Sequence, residues 1–348
     1  MDSGRTVASV VAPWSTMTSR PTLLPHLRPL WRDRRTLQLG LDPARAVVVE
    51  FDGPVAAGLL DLLDGARTEA GVVAAAAGLG VPPALARQVI SVLRDAGVLI
   101  DARALLPHGM AEVARSRLYP EAAALAMRHT QPGRTPASRL RRRQAARVLV
   151  AGALTSDLRT EAGTDTPVGT HPVDTALVDA LTAAGVGRVS RSRHDRVPEH
   201  PCPALIVRLG AERRPTALAA QAYARAVVAY LSITVRDGAV VVGPLVPPAG
   251  SPCLSCLDLH RGDRDPGWPA LAAQLASVAA PPPTCAATTA LAGAAYAASE
   301  VLAYLDGDAP QTRGATVEVT GPGRTRSRSW APHPRCDCRR LRRSSLNG

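Results

Sequence analysis

Apolar and polar positions in the first hundred residues predict a small domain with one sheet and three helices. Apolar residues alternate with polar ones in segment 37–40, and segment 46–51 is apolar apart from Glu50. This pattern predicts two strands joined at Asp42 and Pro43. Helical spacing then recurs in segments 55–63, 70–77 and 82–96, and the apolar run 98–100 is predicted to close the sheet. A hairpin with three helices is typical of a winged-helix domain, which we place at residues 20–100.

The second half of the chain alternates between strand and helix patterns. Strands are predicted at 147–152, 188–191, 204–209, 233–236, 239–242, 315–319 and 325–330, and helices at 173–184, 216–229, 268–278 and 285–305. This alternation predicts an α/β domain over residues 146–340, with a mainly parallel sheet covered on both faces. The remaining segments are predicted as a disordered leader (1–19), a linker with one helix near 119–129 (101–145) and a basic tail (341–348).

Charge and composition limit the location and the partners. The net charge of +12 comes from arginine alone, because the sequence contains no lysine. Two arginine clusters, at 139–147 and 335–343, are either solvated charge or sites that attract phosphate or acidic peptides. The sequence contains no run of about 20 apolar residues, the length that spans a bilayer, and no secretory signal is evident. We therefore expect a cytoplasmic protein without membrane contact.

Four of the six cysteines form two short motifs, Cys253-Leu-Ser-Cys256 and Cys336-Asp-Cys338. Four thiolates make a closed tetrahedral zinc site, and ligands so far apart in the chain favour a structural zinc ion over a catalytic one. In a reducing cytosol, metal binding is also more consistent with these motifs than disulfides are. The alternative is four unrelated thiols. His260 and His333 adjoin the motifs, either as replacement ligands or as groups that position the ligands.

The other two cysteines stand alone. Cys285 follows three prolines and opens a predicted helix, where a thiol can become a nucleophile. No base is evident near it, and its alanine-rich surroundings favour an inert core thiol. Cys202 lies between two prolines and is interpreted as a loop residue.

Gly152 ends the first strand of the second domain, where dinucleotides and ATP bind in Rossmann-type folds. No G-x-G-x-x-G motif follows, because residues 154–170 intervene before the next predicted helix. The second strand ends in the basic segment 190–193 instead of an acidic residue. We therefore interpret Gly152 as part of a degenerate nucleotide loop.

Several motifs resemble those of the ThiF-type family, which is related to ubiquitin-activating enzymes. The resemblance is carried by the run from Gly243-Pro-Leu through both Cys253 and Cys256 to His260-Arg261, by Asp263-Arg-Asp-Pro, by Gly185-Val-Gly-Arg-Val, and by His333-Pro-Arg-Cys336-Asp-Cys338. The branch it resembles contains azole- and azoline-forming peptide cyclodehydratases. Gly40-Leu-Asp-Pro, Leu63-Asp-Gly and Leu93-Arg-Asp-Ala-Gly-Val-Leu resemble a PqqD-like leader-peptide recognition domain.

The resemblance implies a Rossmann-like fold with a zinc site and a precursor peptide as partner. Adenylating members use a glycine loop, an acidic residue and a lysine that this chain lacks, so ATP binding is not expected. In the branch it resembles, a YcaO-type ATP-dependent enzyme performs the chemistry, and ThiF-type relatives commonly pair into dimers.

Peptide capture is predicted in the N-terminal domain. An extended leader could add a strand at the edge formed by Val47, Val49 and Phe51 and pack against the helix that starts near Pro82. Arg87 and Arg94, together with Arg45, could bind acidic leader residues. The alternative is that the apolar residues belong to the core and the arginines to the solvated surface.

The sequence thus leads to a zinc-stabilised scaffold that presents a precursor peptide and carries no catalytic residues of its own. Two alternatives remain open. The first is an ATP-dependent ThiF-type adenylyltransferase that acts on a peptide or carrier-protein C-terminus. The second is a winged-helix nucleic-acid-binding protein whose arginines contact phosphate.

Overall fold

A computed structural model describes residues 18–338 except 26, 34, 43–45, 51–55, 129–133, 153, 155–170, 193–201, 211–221, 224–226, 249–251 and 278–283. The predicted leader, apart from residues 18 and 19, and the predicted tail lie outside these residues. The chain divides into two compact units, Met1–Arg141 and Arg142–Gly348.

The first unit contains short strands and helices around two apolar clusters. Its elements are β1 (Pro21–Leu23), β2 (Pro29–Trp31), β3 (Thr36–Leu39), β4 (Val47–Glu50), α1 (Ala56–Asp61), α2 (Glu69–Gly78), α3 (Pro83–Asp95), β5 (Leu99–Asp101) and α4 (Glu112–Arg128). Thr68 caps α2 by accepting the Gly71 N–H, and Pro83 opens α3 where no N–H is needed. In one cluster, Leu37, Leu39 and Val49 of the small sheet pack with Ile90 and Leu93 of α3, and the other cluster includes α4.

Two separate sheets form in this unit. An antiparallel sheet has the order β2-β3-β4, and its β3–β4 pair is the predicted hairpin. The prediction that residues 98–100 close this sheet is wrong. β5 pairs instead with β1, with Leu23 opposite Leu99, because β1 supplies a strand that the sequence pattern did not reveal.

The second unit contains a seven-stranded mixed sheet. Its strands are β6 (Arg147–Ala151), β7 (Arg188–Ser192), β8 (Leu205–Leu209), β9 (Ala229–Arg236), β10 (Ala239–Val246), β11 (Ala315–Gly321) and β12 (Arg324–Ser329), in the order β12-β11-β10-β9-β8-β6-β7. β7, β6, β8 and β9 are mutually parallel, and β10, β11 and β12 continue the sheet antiparallel. The predicted α/β class is confirmed.

Helices cover both faces of this sheet. They are α6 (Pro172–Ala183), α7 (Leu254–Arg264), α8 (Trp268–Ser277) and α9 (Ala287–Asp306). α6 and α9 pack on one face, where Gly293 lets α9 approach closely because a Cβ there would lie 2.5 Å from the Val240 side chain. Along β6, Val148 and Val150 face this core while Leu149 and Ala151 face the opposite one, as the period of a strand requires.

Three sequence predictions need correction or extension. Residue 229 was predicted to end a helix but begins β9, and most of the predicted helix 216–229 lies outside the described residues. α7 starts directly after Cys253 and is a helix that the sequence analysis does not predict. The segment predicted as a linker holds α4 and also α5 (Pro136–Ala145), in which the boundary between the two units falls.

No helix among the described residues is both long enough and apolar enough to cross a bilayer.

Candidate metal centre

The four motif cysteines meet in the core on the α7 side of the large sheet. The Sγ atoms of Cys253 and Cys256 lie 3.8 Å apart, those of Cys253 and Cys336 3.6 Å, and those of Cys256 and Cys338 3.7 Å. These separations are far longer than a disulfide bond. They match the roughly 3.8 Å between sulfurs of a tetrahedral site with Zn–S bonds of about 2.3 Å. The residues present therefore fit a zinc ion.

Local structure explains how two distant motifs meet. Cys253 has extended backbone at the N-cap of α7, and Cys256 lies in the first turn, so both sulfurs project from one end of the helix. The Leu254 N–H donates to the Tyr230 hydroxyl at 3.3 Å, which ties this helix end to β9. Cys336 and Cys338 follow β12, in a turn whose Cys336 N–H donates to the His333 carbonyl at 3.1 Å.

Hydrogen bonds to sulfur separate the acidities of the four thiols. Cys253 and Cys338 donate to Cys256, with a further contribution from the His333 N–H, and this holds the pKa of Cys256 far below its usual range. Burial raises the pKa of Cys336 to about 12. The pKa of Cys338 is also raised, because its thiol donates to the other sulfurs. Four thiolates cannot coexist at these distances without a cation that neutralises their charge. A bound dication would supply that positive charge.

His333 does not take the place of a cysteine. Its side chain is 2% exposed; Nε2 donates to Asp263 Oδ2 at 2.7 Å, and Nδ1 accepts the Arg335 N–H at 3.1 Å. Asp263 also pairs with the Arg335 side chain, and its pKa is lowered chiefly by the hydrogen bond from His333. Both ring nitrogens of His333 are thus engaged in hydrogen bonds. The His333–Asp263 pair stabilises the turn that carries Cys336.

His260 completes a second cluster with Asp263 and His333, whose ligand atoms lie within 4.8 Å of one another. His260 Nε2 donates to the Ala331 carbonyl at 2.9 Å, and its ring meets that of His333 edge-on at 4.7 Å. Because the protein already uses both nitrogens of His333, this cluster acts as packing around the cysteine site. Sequence reasoning named Asp263 in a family motif but gave it no role, since no local signal links a carboxylate on α7 with a histidine 70 residues later.

Backbone conformation and a close neighbour both favour glycine at position 152. The φ of Gly152 is +90°, and a Cβ would lie 2.1 Å from the Leu209 carbonyl oxygen. Its N–H donates to the Ser192 carbonyl at 2.8 Å, which continues the pairing of β6 with β7. Most of the segment that follows, residues 155–170, lies outside the described residues.

The residues predicted to bind peptide occupy different environments in the first unit. Val47 and Val49 belong to β4, and Val49 is only 8% exposed because it packs into the core. Arg87 is exposed on α3, whereas Arg94 forms an ion pair with Glu69. Phe51 and Arg45 lie outside the described residues.

The remaining predicted groups divide between core and surface. Cys285 packs against the α9 core, and burial raises the pKa of its thiol, which disfavours a nucleophile. Cys202 is exposed and precedes β8, as expected of a loop residue. Arg139 and Arg143 of the first arginine cluster are buried, so for these two the interpretation as solvated charge is wrong.

Solved structures share this fold. The heterocyclase TruD aligns over 91% of this chain with a TM-score of 0.63 and 17% sequence identity, and a heterocyclase in complex with substrate and cofactor aligns over 90% with the same score and identity. E. coli MccB bound to succinimide aligns over 92% with a TM-score of 0.59 and 11% identity. No protein-family model and no curated protein matches the sequence.

The two kinds of neighbour differ in length. This chain spans 42% of the TruD chain and 39% of the other heterocyclase, but 98% of MccB. More than half of each heterocyclase chain therefore has no counterpart here. At sequence identities of 11–17%, the comparisons establish the fold alone.

Proposed function

We propose that this protein is a zinc-stabilised, ThiF-like scaffold that binds a precursor leader peptide and presents it to a YcaO-type cyclodehydratase without adenylating the peptide itself. The observation that carries the proposal is the pairing, in one chain, of a small sheet with an open edge and a large sheet that holds a four-cysteine cluster. Both solved heterocyclases align with this pairing over at least 90% of the chain.

A peptide would bind by adding a strand to β4. Among the described residues, the sheet order β2-β3-β4 leaves two edges, and β2 begins with Pro29, which has no N–H to donate. β4 contains no proline. A strand that adds there gains main-chain hydrogen bonds, while pockets for alternate side chains set its sequence preference. This sheet and α3 share one core, which supports the proposal that they form a winged-helix, PqqD-like domain.

The register identifies the open backbone groups of β4. The Arg32 N–H donates to the Thr36 carbonyl at 2.9 Å, so Thr36 directs its backbone groups towards β2. Directions alternate along a strand, and Leu37 therefore faces β4, where it is paired with Val49. Val48 and Glu50 consequently direct their N–H and C=O groups to the free edge. Val48 is also 45% exposed, so it can be altered without touching the core.

The decisive experiment is a titration of the cognate leader peptide against full-length protein and edge variants. Val48→Pro removes one free N–H, and we expect peptide affinity to fall by at least about tenfold. Val48→Thr keeps that N–H and the branched side chain, so it should bind within about twofold of the parent. Trp31→Pro at the opposite edge serves as a second control. Equal affinities for Val48→Pro and Val48→Thr would show that the β4 edge is not used.

Zinc is proposed to connect the end of β12 with α7 and so to maintain the second unit. The chemistry of ring formation is proposed to come from the YcaO-type enzyme, because more than half of each heterocyclase chain has no counterpart here. A homodimer and a cytoplasmic location, where thiols stay reduced, complete the proposal.

Adenylation remains the alternative, because MccB has also been solved with ATP and aligns with 92% of this chain. Two features favour the scaffold over it: no G-x-G-x-x-G motif follows Gly152, and the chain has no lysine to bind phosphates. A nucleic-acid role is disfavoured by the burial of Arg139 and Arg143, since buried guanidinium groups cannot reach a phosphate backbone.

A further inference from the structure

A cavity of about 370 Å³ lies between the large sheet and the helices α7 and α8. Its volume falls within the range of small-molecule sites, roughly 300–1,000 Å³. Strands β8 to β12 form its floor, and the two helices form its wall. Leu275 of α8 lines it and is 41% exposed, so the cavity opens to solvent along this helix.

The strands beneath the cavity have polar residues at positions that are usually apolar in a central strand. In β9, Leu231, Ile233 and Val235 pack into the core shared with α6 and α9. The alternate residues Ser232, Thr234 and Arg236 line the cavity. Strands buried on both faces normally read as continuous apolar runs, so a polar second face indicates that this face contacts something polar.

Arginine dominates the charge of the cavity. Five arginines line it against two carboxylates, those of Asp258 and Glu318, which leaves a formal excess of three positive charges. The arginines are Arg208, Arg236, Arg261, Arg326 and Arg328. Arg208 is only 5% exposed, within a strand that is otherwise apolar. A bound anion would add charge-assisted hydrogen bonds to guanidinium groups that line this cavity.

Two tryptophans help to position the arginines. The Arg261 guanidinium lies 4.8 Å from the ring centre of Trp268, and that of Arg328 lies 5.6 Å from the ring centre of Trp330. Trp330 is itself held by a hydrogen bond to Thr316 Oγ1 at 3.0 Å. Trp268 Nε1 is buried and, within the described part of the chain, has no acceptor. Such an orphan donor is rare in folded proteins.

We propose that this cavity binds a compact organic anion whose phosphate or carboxylate group contacts the arginines of the sheet and whose apolar part packs on α7 and α8. The strands supply Arg208, Arg236, Arg326 and Arg328, and the helices supply leucines and Trp268. Most of the lining charge therefore lies on the sheet side, and α7 adds Arg261 and Asp258 beside the apolar residues of the helices. The site lies within the second unit and does not depend on peptide binding at β4.

Tryptophan fluorescence tests this proposal directly, because two of the four tryptophans line the cavity. The full-length protein is titrated with phenyl phosphate, with phthalate and with neutral benzyl alcohol. The two anions separate phosphate from carboxylate recognition, and the alcohol measures binding of the ring alone. Arg326→Gln removes one lining charge on an exposed strand, and Arg324→Gln is its control, since Arg324 is exposed on the same strand but does not line the cavity.

We expect saturable quenching by at least one anion, an affinity about tenfold lower in Arg326→Gln, and a change below about twofold in Arg324→Gln. Arg208→Gln should weaken binding as well, and its circular dichroism spectrum establishes that it folds. No saturable response to either anion up to about 10 mM would overturn the proposal. Equal binding of benzyl alcohol, or an equal loss in Arg324→Gln, would overturn it too.

Discussion

Arg143 and Asp306 form a buried bidentate ion pair within the second unit. Arg143 Nε donates to Asp306 Oδ1 at 2.8 Å and Nη2 donates to Oδ2 at 2.7 Å, and both side chains are at most 4% exposed. Arg143 Nη1 also donates to the Ala184 carbonyl at 3.1 Å. One arginine thus connects the segment before β6 with the ends of α6 and α9.

Breaking this ion pair should strongly destabilise the second unit. Arg143→Met removes both hydrogen bonds that Arg143 donates to the buried Asp306 carboxylate, and breaking a buried ion pair in this way typically costs about 3–5 kcal/mol of unfolding free energy. Arg141→Met, an exposed change on the same helix, should have little effect. Urea denaturation measures both. The double variant Arg143→Met with Asp306→Leu should recover much of the loss, because no charge is then left buried. A loss that persists in full would assign the effect to packing.

Zinc content should depend on each member of the cysteine cluster. We expect one zinc ion per chain in the purified protein, and loss of most of it in Cys256→Ser and Cys338→Ser, because removing one thiolate opens a closed site. Cys202→Ser, outside the cluster, should keep its metal. Elemental analysis and thermal melting provide the measurements. Full zinc content with unchanged melting in both cluster variants would eliminate the site.

Asp263 should influence zinc retention although it is not a ligand. Asp263→Asn weakens the hydrogen bond to His333, whose backbone N–H reaches the Cys256 sulfur, and loss of such outer groups typically costs about 10–100-fold in metal affinity. A chelator competition assay measures this change. Asp265→Asn is the control, because the Asp265 side chain accepts the Gly267 N–H of its own turn at 2.9 Å. Equal zinc affinity in the two variants would remove Asp263 from this role.

The isolated protein should not adenylate a peptide. No G-x-G-x-x-G motif follows Gly152, and no lysine is available to bind ATP phosphates. We therefore expect no peptide-dependent pyrophosphate exchange at millimolar ATP, with an adenylating ThiF-type enzyme as the positive control. Measurable exchange would favour the adenylyltransferase alternative instead.

Several features of the fold followed from local sequence patterns. The alternating segment 37–40 and the apolar segment 46–51 identified β3 and β4, and the apolar strand before Gly152 appears as β6. Other features could not be found in this way. Ala229 lies in an alanine-rich stretch that reads as helix, yet it begins a strand because pairing with Leu205 decides its conformation.

By itself, the sequence determined that cysteines occur in two short pairs, that lysine is absent, and that strands and helices alternate after residue 146. Only the tertiary structure decided that the four sulfurs meet within 4.8 Å and that Asp263 reaches His333. It also decided that polar residues of β9 and arginines of β8 and β12 share one cavity. The physical reason is that spacing along the chain governs which face of a strand or helix a residue occupies, whereas strand order and helix packing govern which distant residues those faces meet.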